Sequence, residues 1–581
     1  MQTLKGIAAS PGVVIGPAFV YTQPKLDIPE GTITADRLDA EVAAFQAGRL
    51  RAEAGLQALV ERVRAEKGDD LAGVFEGHLE ILMDEEFEAQ ILAQIRENHL
   101  CALAAVRAGV EAQRQEFLAL DDEYLRERAD DLADIGRRLL YATAGVEFAS
   151  LDDHPDHAII IARDLTPSDT AQLDPARVAG FAVETGGRTS HTAIMARTLE
   201  LPAVVGCVGI LDAVTMGDLI AIDGRSGDVV IAPDASTEAA YRTRRAAFLA
   251  DREVMLALAA LPATTTDGET TMLGVNIGTP ADAEASLPWN PDGVGLYRSE
   301  FLFMDRPGLP SEDEQFKAYA SVVKAMKGKP VVLRTLDVGG DKPVAAVPFP
   351  HEDNPFLGWR GVRMCLYKEE GNQDILRTQL RAALRAAADG EMWIMYPMIS
   401  SYEEVVAVKE LLAQTQQELK AAGKRYGEVK TGIMIETPGA AMIADKLAEI
   451  VDFFSIGSND LTQYTLAADR GNERVSRCYQ TFHPAVWHLV SAVIHAGRTH
   501  KIPVGMCGEL AGIEEAALPL LGLGLDEFSM SAQSLPRIKR IIRAASMEEA
   551  KACARAVLDA RTAEEAFAAA SSAMKAVLSR T

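Results

Sequence analysis

The chain has 581 residues and a formal charge of −26, from 58 basic and 84 acidic side chains. That length exceeds what one hydrophobic core supports, so several domains are expected. The acidic balance argues against a nucleic-acid partner or an anionic membrane surface and is compatible with a basic protein partner. No apolar run reaches the roughly 18 residues of a membrane span. Met1-Gln2-Thr3-Leu4-Lys5-Gly6 lacks the apolar core of a signal peptide. Six cysteines (Cys101, Cys207, Cys365, Cys478, Cys507 and Cys553) show no paired spacing. A disulfide framework is therefore not expected, and a reducing, cytoplasmic setting fits. All of them but Cys507 read as small buried hydrophobes.

In chain order, Gly6–Gly12 carries turn chemistry and Val13–Tyr21 reads as a strand. Residues 31–144 turn rich in Ala, Glu, Arg and Leu, with Leu38, Val42, Phe45, Leu56, Leu59, Val60 and Val63 at helical spacing. A helical bundle is expected there, inserted into a small α/β domain made of residues 1–30 and 145–232. Within that domain Ala158–Ala162, Val178–Val183 and Asp218–Ile222 read as strands. Between them lies Thr185-Gly186-Gly187-Arg188-Thr189-Ser190-His191, followed by Thr192-Ala193-Ile194-Met195-Ala196-Arg197. Thr189 or Ser190 suits a helix cap, with Ile194, Met195 and Leu199 on the buried face and Pro202 beyond the end. His191 then stands in the first turn, where free N–H groups and the dipole favour an anion. Beside Arg188 it is set to accept a phosphoryl group; the plainer reading is a satisfied histidine near a cap. Residues 233–261 read as one long connecting helix.

Over residues 262–581 strand and helix patterns alternate. The candidate strands are Thr271–Ile277, Val294–Arg298, Val331–Asp337, Met392–Met398, Thr431–Glu436, Phe453–Gly457, Ile502–Cys507 and Glu527–Met530. Eight strands fit a (β/α)8 TIM barrel, with a doubly wound open sheet as the alternative. The barrel is favoured because Arg298, Arg334, Glu436, Asn459, Asp460 and Cys507 all fall at or just past C-terminal strand ends, which in barrels line one mouth. Glu436 and Asp460 are hard oxygen ligands suited to Mg2+, or Mn2+, bound together with substrate. Arg298, Arg334, Arg470 and Arg360 offer planar forks for carboxylate and phosphate oxygens. The combination describes a small, multiply anionic phosphorylated substrate. Cys507, between Met506 and Gly508 with no neighbouring His, suits a proton donor to a carbanion or enolate better than a thiolate nucleophile.

With those residues in place, the chain resembles the Enzyme I family of the bacterial sugar phosphotransferase system. The likeness rests on Gly186–Arg197, Gly295–Phe303, Arg334–Lys342, Phe454–Leu461 and Gly505–Glu509, with Phe75-Glu76-Gly77-His78 in the helical insert. It implies that phosphoenolpyruvate binds with Mg2+ in the barrel and passes its phosphoryl group to His191. Cys507 then protonates the enolate to pyruvate. It implies further that Glu436 and Asp460 hold the metal, that Arg298, Arg334, Asn459 and Arg470 hold the substrate, and that Thr170 hydrogen-bonds the resting histidine. The phosphocarrier HPr would take the group at the helical insert, around His78, Glu80, Asp84 and Glu85, and the chain would form a homodimer through its barrel. Related dikinases and synthases carry a nucleotide-binding domain; the residues ahead of the histidine domain lack a Gly-rich phosphate loop with a Lys.

Overall fold

The structure is a computed structural model. It describes residues 1–580 except 68, 120–122, 147–150, 152–153, 167–168, 170–172, 175, 188–189, 200, 305, 307, 341–343, 345, 348, 350, 367–372 and 473, together with the side chains of 65–67, 69–71, 74, 118–119, 123–131, 191, 194 and 198. It divides into two compact units, Met1–Arg252 and Glu253–Thr581.

The first unit opens with β1 (Gln2–Lys5), β2 (Ile7–Ser10) and β3 (Val13–Tyr21). It continues after the helical segment with β4 (Ala158–Ala162), β5 (Val178–Val183), β6 (Ala203–Val205), β7 (Leu219–Asp223) and β8 (Asp228–Ile231). All eight form one sheet in the order β1-β8-β7-β3-β4-β5-β6-β2. The Gly6–Gly12 segment departs from expectation: Ile7–Ser10 pairs antiparallel with β6, which leaves Pro11-Gly12 as the turn. β4 is buried along its whole length because both sheet faces are covered. Ile159 and Ile161 pack with Ala182, Val204 and Ile222 on one face, and Ile160 packs with Phe181 and Val183 on the other.

β3 and β4 are neighbours in parallel register, Ala18 opposite Ile159. Parallel neighbours require a long crossover, and here it is the helices α1 (Leu38–Lys67), α2 (Asp69–Met83), α3 (Glu85–Arg96), α4 (Ala102–Ala119) and α5 (Glu123–Ala144). Their own core includes Phe45, Leu56, Leu59, Val60, Val63, Phe75, Phe87, Ile91, Val106 and Leu139. The helix α6 (His191–Thr198) lies between β5 and β6. It buries Thr192, Ala193 and Ala196 rather than Met195 and Leu199, which are only half-buried.

The helix α7 (Ala235–Ala259) runs from the first unit into the second. Tyr241 packs in the first unit's core, whereas Met255 belongs to the second's. Its last carbonyl, on Ala259, accepts from Lys539 Nζ at 2.8 Å and Asn290 Nδ2 at 3.2 Å.

The second unit is a closed, all-parallel barrel of β9 (Met272–Ile277), β10 (Gly293–Arg298), β11 (Val331–Arg334), β12 (Met392–Tyr396), β13 (Lys430–Ile435), β14 (Phe453–Ile456), β15 (Val504–Met506) and β16 (Glu527–Met530). Every candidate strand overlaps one of these, although β10 and β13 begin one residue earlier than expected and several strands end early. β11 stops at Arg334 because the Leu336 N–H is taken by the Gln379 side chain at 2.8 Å. β15 begins at Val504 because Pro503 has no N–H for the ladder. Among the described residues no helix is long and apolar enough to cross a membrane. Cys101, Cys207, Cys365 and Cys553 are buried as expected, but Cys478 is exposed.

Candidate active site

Arg298 and Arg334 end β10 and β11 and are register partners across those strands. Their neighbours in sequence turn back toward them. Arg334 Nη2 donates to Glu300, two residues past β10, and Nη1 reaches Asp337 Oδ2 at 2.9 Å. Arg360, in the loop after β11, brings Nη2 to 3.2 and 3.3 Å from the two Asp337 oxygens. Its Nη1 lies 3.4 Å from Asp460 Oδ1 and 3.2 Å from the Tyr464 hydroxyl. The loop fits closely, since a Cβ on Gly339 would stand 2.7 Å from Arg360 Cβ. All these charged side chains are buried: Asp337 is 0%, Arg360 1%, Glu300 2%, Arg334 5% and Asp460 9% exposed. Burial pushes both guanidiniums toward neutrality, but the surrounding carboxylates more than reverse it and hold them above the ordinary arginine value. Nε of Arg334 and of Arg360 are buried with no hydrogen-bond partner among the described residues.

Glu436, one residue past β13, accepts the Met398 N–H on Oε1 at 2.6 Å. Its Oε2 is buried without a partner among the described residues. Burial, then Asp460 and Asp337, raise its carboxyl well above the usual range against the pull of Arg334 and Arg360. A buried, partnerless oxygen beside a second carboxylate fits a divalent cation, which would relieve that repulsion. Among the described residues no three His, Cys, Asp or Glu side chains form a complete cage, so further ligands would come from substrate and water.

Asn459 and Asp460 stand in the first turn of helix Ser458–Leu466, after β14. Asn459 Oδ1 accepts the Glu509 N–H at 3.0 Å, tying the β14 and β15 loops together. Arg470 is half-buried near Tyr479, whose hydroxyl donates to the Asn459 carbonyl at 3.3 Å. Cys507, just past β15, is 3% exposed and shares a lumen cluster with Leu296, Val332, Met395, Met434 and Phe453. Burial raises its thiol to about 11, although a Ser455 hydrogen bond and Arg334 pull the other way. At physiological pH it is a thiol, a proton source. Arg298 lines the adjoining cavity of about 530 Å3 with Asn276, Thr279, Phe301, Glu509 and Ser531.

The barrel mouth thus brings Arg334, Arg360, Glu436, Asp460 and Cys507 into one electrostatically linked group, with Arg298, Asn459 and Arg470 on its borders. Sequence reasoning missed Glu300, Asp337 and Tyr464. The first two lay within Gly295–Phe303 and Arg334–Lys342; a carboxylate two or three residues after a strand-end arginine was the available signal.

In the first unit, His191 is the first residue of α6, and Ser190 is its cap, accepting the Ala193 N–H at 3.3 Å. The Thr192 hydroxyl donates to Asp164 at 2.9 Å, fixing that first turn to the β4–β5 connection. Thr170, Arg188, Thr189 and the His191 side chain lie outside the described residues. On α2, His78 is 3% exposed, with Phe75 edge-on at 5.8 Å and Asp134 at 4.0 Å. Glu80, Asp84 and Glu85 are exposed, and Asp84 caps α3 by accepting the Phe87 N–H at 2.8 Å.

Three family profiles match: "PEP-utilising enzyme, N-terminal" over residues 5–128, "PEP-utilising enzyme, mobile domain" over 154–227 and "PEP-utilising enzyme, PEP-binding domain" over 252–547. The phosphoenolpyruvate-protein phosphotransferase of Haemophilus influenzae is 46% identical over 97% of both chains. That of Bacillus subtilis is 43% identical over 98% of this chain and 99% of its own. A solution structure of an Enzyme I protein is 40% identical, spanning 42% of this chain and 99% of its own with a TM-score of 0.39. With such identity along nearly the whole length, the chain belongs to the phosphoenolpyruvate-protein phosphotransferase family.

Proposed function

We propose that the protein moves the phosphoryl group of phosphoenolpyruvate to HPr in two transfers, through His191. The observation that carries this reading is the buried barrel-mouth cluster, in which Arg334 Nε, Arg360 Nε and Glu436 Oε2 have no hydrogen-bond partner among the described residues. Arg298, Arg334, Arg360 and Arg470 neutralise the substrate's phosphate and carboxylate, and Asn459 fixes its orientation. Glu436 and Asp460 would hold Mg2+ (or Mn2+), which supplies charge neutralisation to the phosphoryl group in transfer. Cys507 gives its proton to the enolate carbon, and pyruvate leaves. His191 carries the group away, supported by Thr170, Arg188 and Thr189. HPr docks on the helical insert beside exposed Glu80, Asp84 and Glu85, with His78 packed beneath. An acidic docking face suits a basic carrier surface. The reading includes a cytoplasmic protein that pairs through its barrel as a homodimer.

The test is incubation with labelled phosphoenolpyruvate and Mg2+ in the absence of nucleotide. An acid-labile, base-stable label on His191 that chases onto HPr, and is lost in His191→Ala, is the expected result. A label that requires ATP and inorganic phosphate would move the chemistry to a nucleotide-dependent class.

A further inference from the structure

β12 ends at Tyr396, and Pro397, Met398 and Ile399 carry the chain from it toward the helix Tyr402–Ala421. Met398 makes that turn at a φ of 56°, in the left-handed region. Eight non-glycine residues among those described have a positive φ; seven are at least partly exposed, whereas Met398 is buried. A left-handed residue with a long side chain is held in such a place only where the surroundings compensate, and such residues gather at functional sites. What compensates here is the direction of one N–H group. The Met398 amide donates to Glu436 Oε1 at 2.6 Å, a short, charge-assisted hydrogen bond in a buried setting. A second bond clips the same two turns together, because the Thr437 hydroxyl donates to the Ile399 carbonyl at 2.9 Å.

The other oxygen of that carboxylate is treated differently. Glu436 Oε2 is buried with no hydrogen-bond partner among the described residues. Beside it stands Gly457, just ahead of the helix Ser458–Leu466. A Cβ there would lie 3.0 Å from Oε2 and 2.8 Å from the Glu436 Cβ. Any larger residue would crowd the carboxylate, so glycine keeps the space beside Oε2 clear. The Met398 side chain lies close to Gly361, where a Cβ would meet Met398 Cγ at 2.8 Å and Cβ at 2.9 Å. Gly361 directly follows Arg360. Met398 thus meets the arginine loop with its side chain and the acid with its backbone.

We propose that Met398 is a positioning residue that acts through Glu436: its left-handed amide holds Oε1 and so leaves Oε2 free for the divalent cation. The inference rests on the reading of Glu436 as a metal ligand. A carboxylate fixed at one oxygen keeps a single orientation before the cation arrives, so less ordering is left for binding to supply. The effect belongs to the backbone of residue 398, and its side chain matters only through the φ it permits. That separates the proposal from a role in packing.

The test compares three substitutions in the full chain. Met398→Leu keeps the volume and an unbranched Cβ. Met398→Gly accepts the positive φ freely but loses the side chain. Met398→Ile keeps the volume, but its branched Cβ resists that φ. Each carries His191→Ala so that phosphoenolpyruvate stays intact, and Mn2+ binding in its presence is read by electron paramagnetic resonance. Met398→Leu and Met398→Gly should bind within about 3-fold of the His191→Ala parent, and Met398→Ile about 10- to 100-fold more weakly. Any result in which Met398→Ile is not the weakest binder overturns the proposal; a weaker Met398→Gly would assign the effect to packing on Gly361. A second readout needs no change at 398 and decides the matter if Met398→Ile does not fold. With methionines labelled by 15N, the Met398 amide proton should resonate downfield and move upfield in Glu436→Ala. A resonance that stays in place overturns the proposal. Unchanged Mn2+ affinity in Glu436→Ala would instead remove the metal assignment and this inference with it, while the amide resonance reports the hydrogen bond separately.

Discussion

Asp337 holds two guanidiniums at once, with no exposure to water and with Arg334 and Arg360 on either side. Among the described residues each arginine is paired with one further carboxylate, Glu300 for Arg334 and Asp460 for Arg360. Among the described residues, Asp337 is the carboxylate that bonds both forks and so fixes the distance between them. Removing its charge leaves two buried cations short of a counterion, a change that costs about 3–5 kcal/mol when a buried pair is broken. Asp337→Asn should therefore lower the barrel's unfolding free energy by that order and raise KM for phosphoenolpyruvate about 10- to 100-fold, by roughly 1.4 kcal/mol per decade. Glu300→Gln, which leaves Arg334 paired to Asp337, should do markedly less on both readouts. Denaturant unfolding followed by fluorescence, with initial-rate kinetics, makes the comparison; equal effects from the two variants would remove Asp337 from its place as the link. Arg334 was legible in the sequence because strand-end position and charge both mark it, and Arg360 was legible by its charge within a Gly- and Pro-rich loop. Of their carboxylate partners Asp460 was legible too, but Glu300 and Asp337 were not, because acidic residues are numerous in this chain and only folding shows which of them are buried.

Elements were legible where apolar pattern and local punctuation agree. The barrel strands announce themselves by short apolar runs between helical stretches, and their interiors match closely. Their ends do not, because a strand stops where its N–H groups find other partners, and that depends on distant residues: Gln379 takes the Leu336 N–H and so ends β11. β2 was hidden for a related reason. Ile7–Ser10 is short and flanked by turn residues, and its partner β6 lies nearly 200 residues later. The connecting helix was clear from composition, but its start is set by one side chain. Asp234 accepts from the Thr237 N–H at 2.8 Å and the Ser236 hydroxyl at 2.8 Å. Those hydrogen bonds, the Thr237 backbone first, lower its carboxyl to about 2. A lowered acid contributes above its unfolded value and loses that contribution as pH falls through its folded one. The cap should thus be fully effective at neutral pH and weaken between about 4 and 2. Asp234→Ala should speed Thr237 and Glu238 amide exchange several-fold at neutral pH, with the difference from the parent protein shrinking over that acid range. A difference that persists unchanged at pH 2 would show that the carboxylate is not what holds the first turn.

The two units carry separate parts of the proposed chemistry and separate cores. His191 and the helical insert lie in Met1–Arg252; the arginines, Glu436, Asp460 and Cys507 lie in Glu253–Thr581. The boundary inside α7 has a packing reason, since Tyr241 is committed to one core and Met255 to the other. Each unit buries enough apolar surface to fold as a separate chain. Expressed alone, Met1–Arg252 should exchange label with phosphorylated HPr but take none from phosphoenolpyruvate. Glu253–Thr581 should bind phosphoenolpyruvate with Mg2+, read by calorimetry, yet release no pyruvate because the acceptor histidine is missing. Mixing the two at micromolar concentration should restore only a small part of the intact rate, because the joining helix converts an encounter between molecules into one within a molecule, with effective concentrations near millimolar for short connections. Full recovery on mixing would mean the units associate tightly without the helix. Pyruvate release by Glu253–Thr581 alone would place the phosphoryl acceptor outside the first unit and sink the assignment of His191.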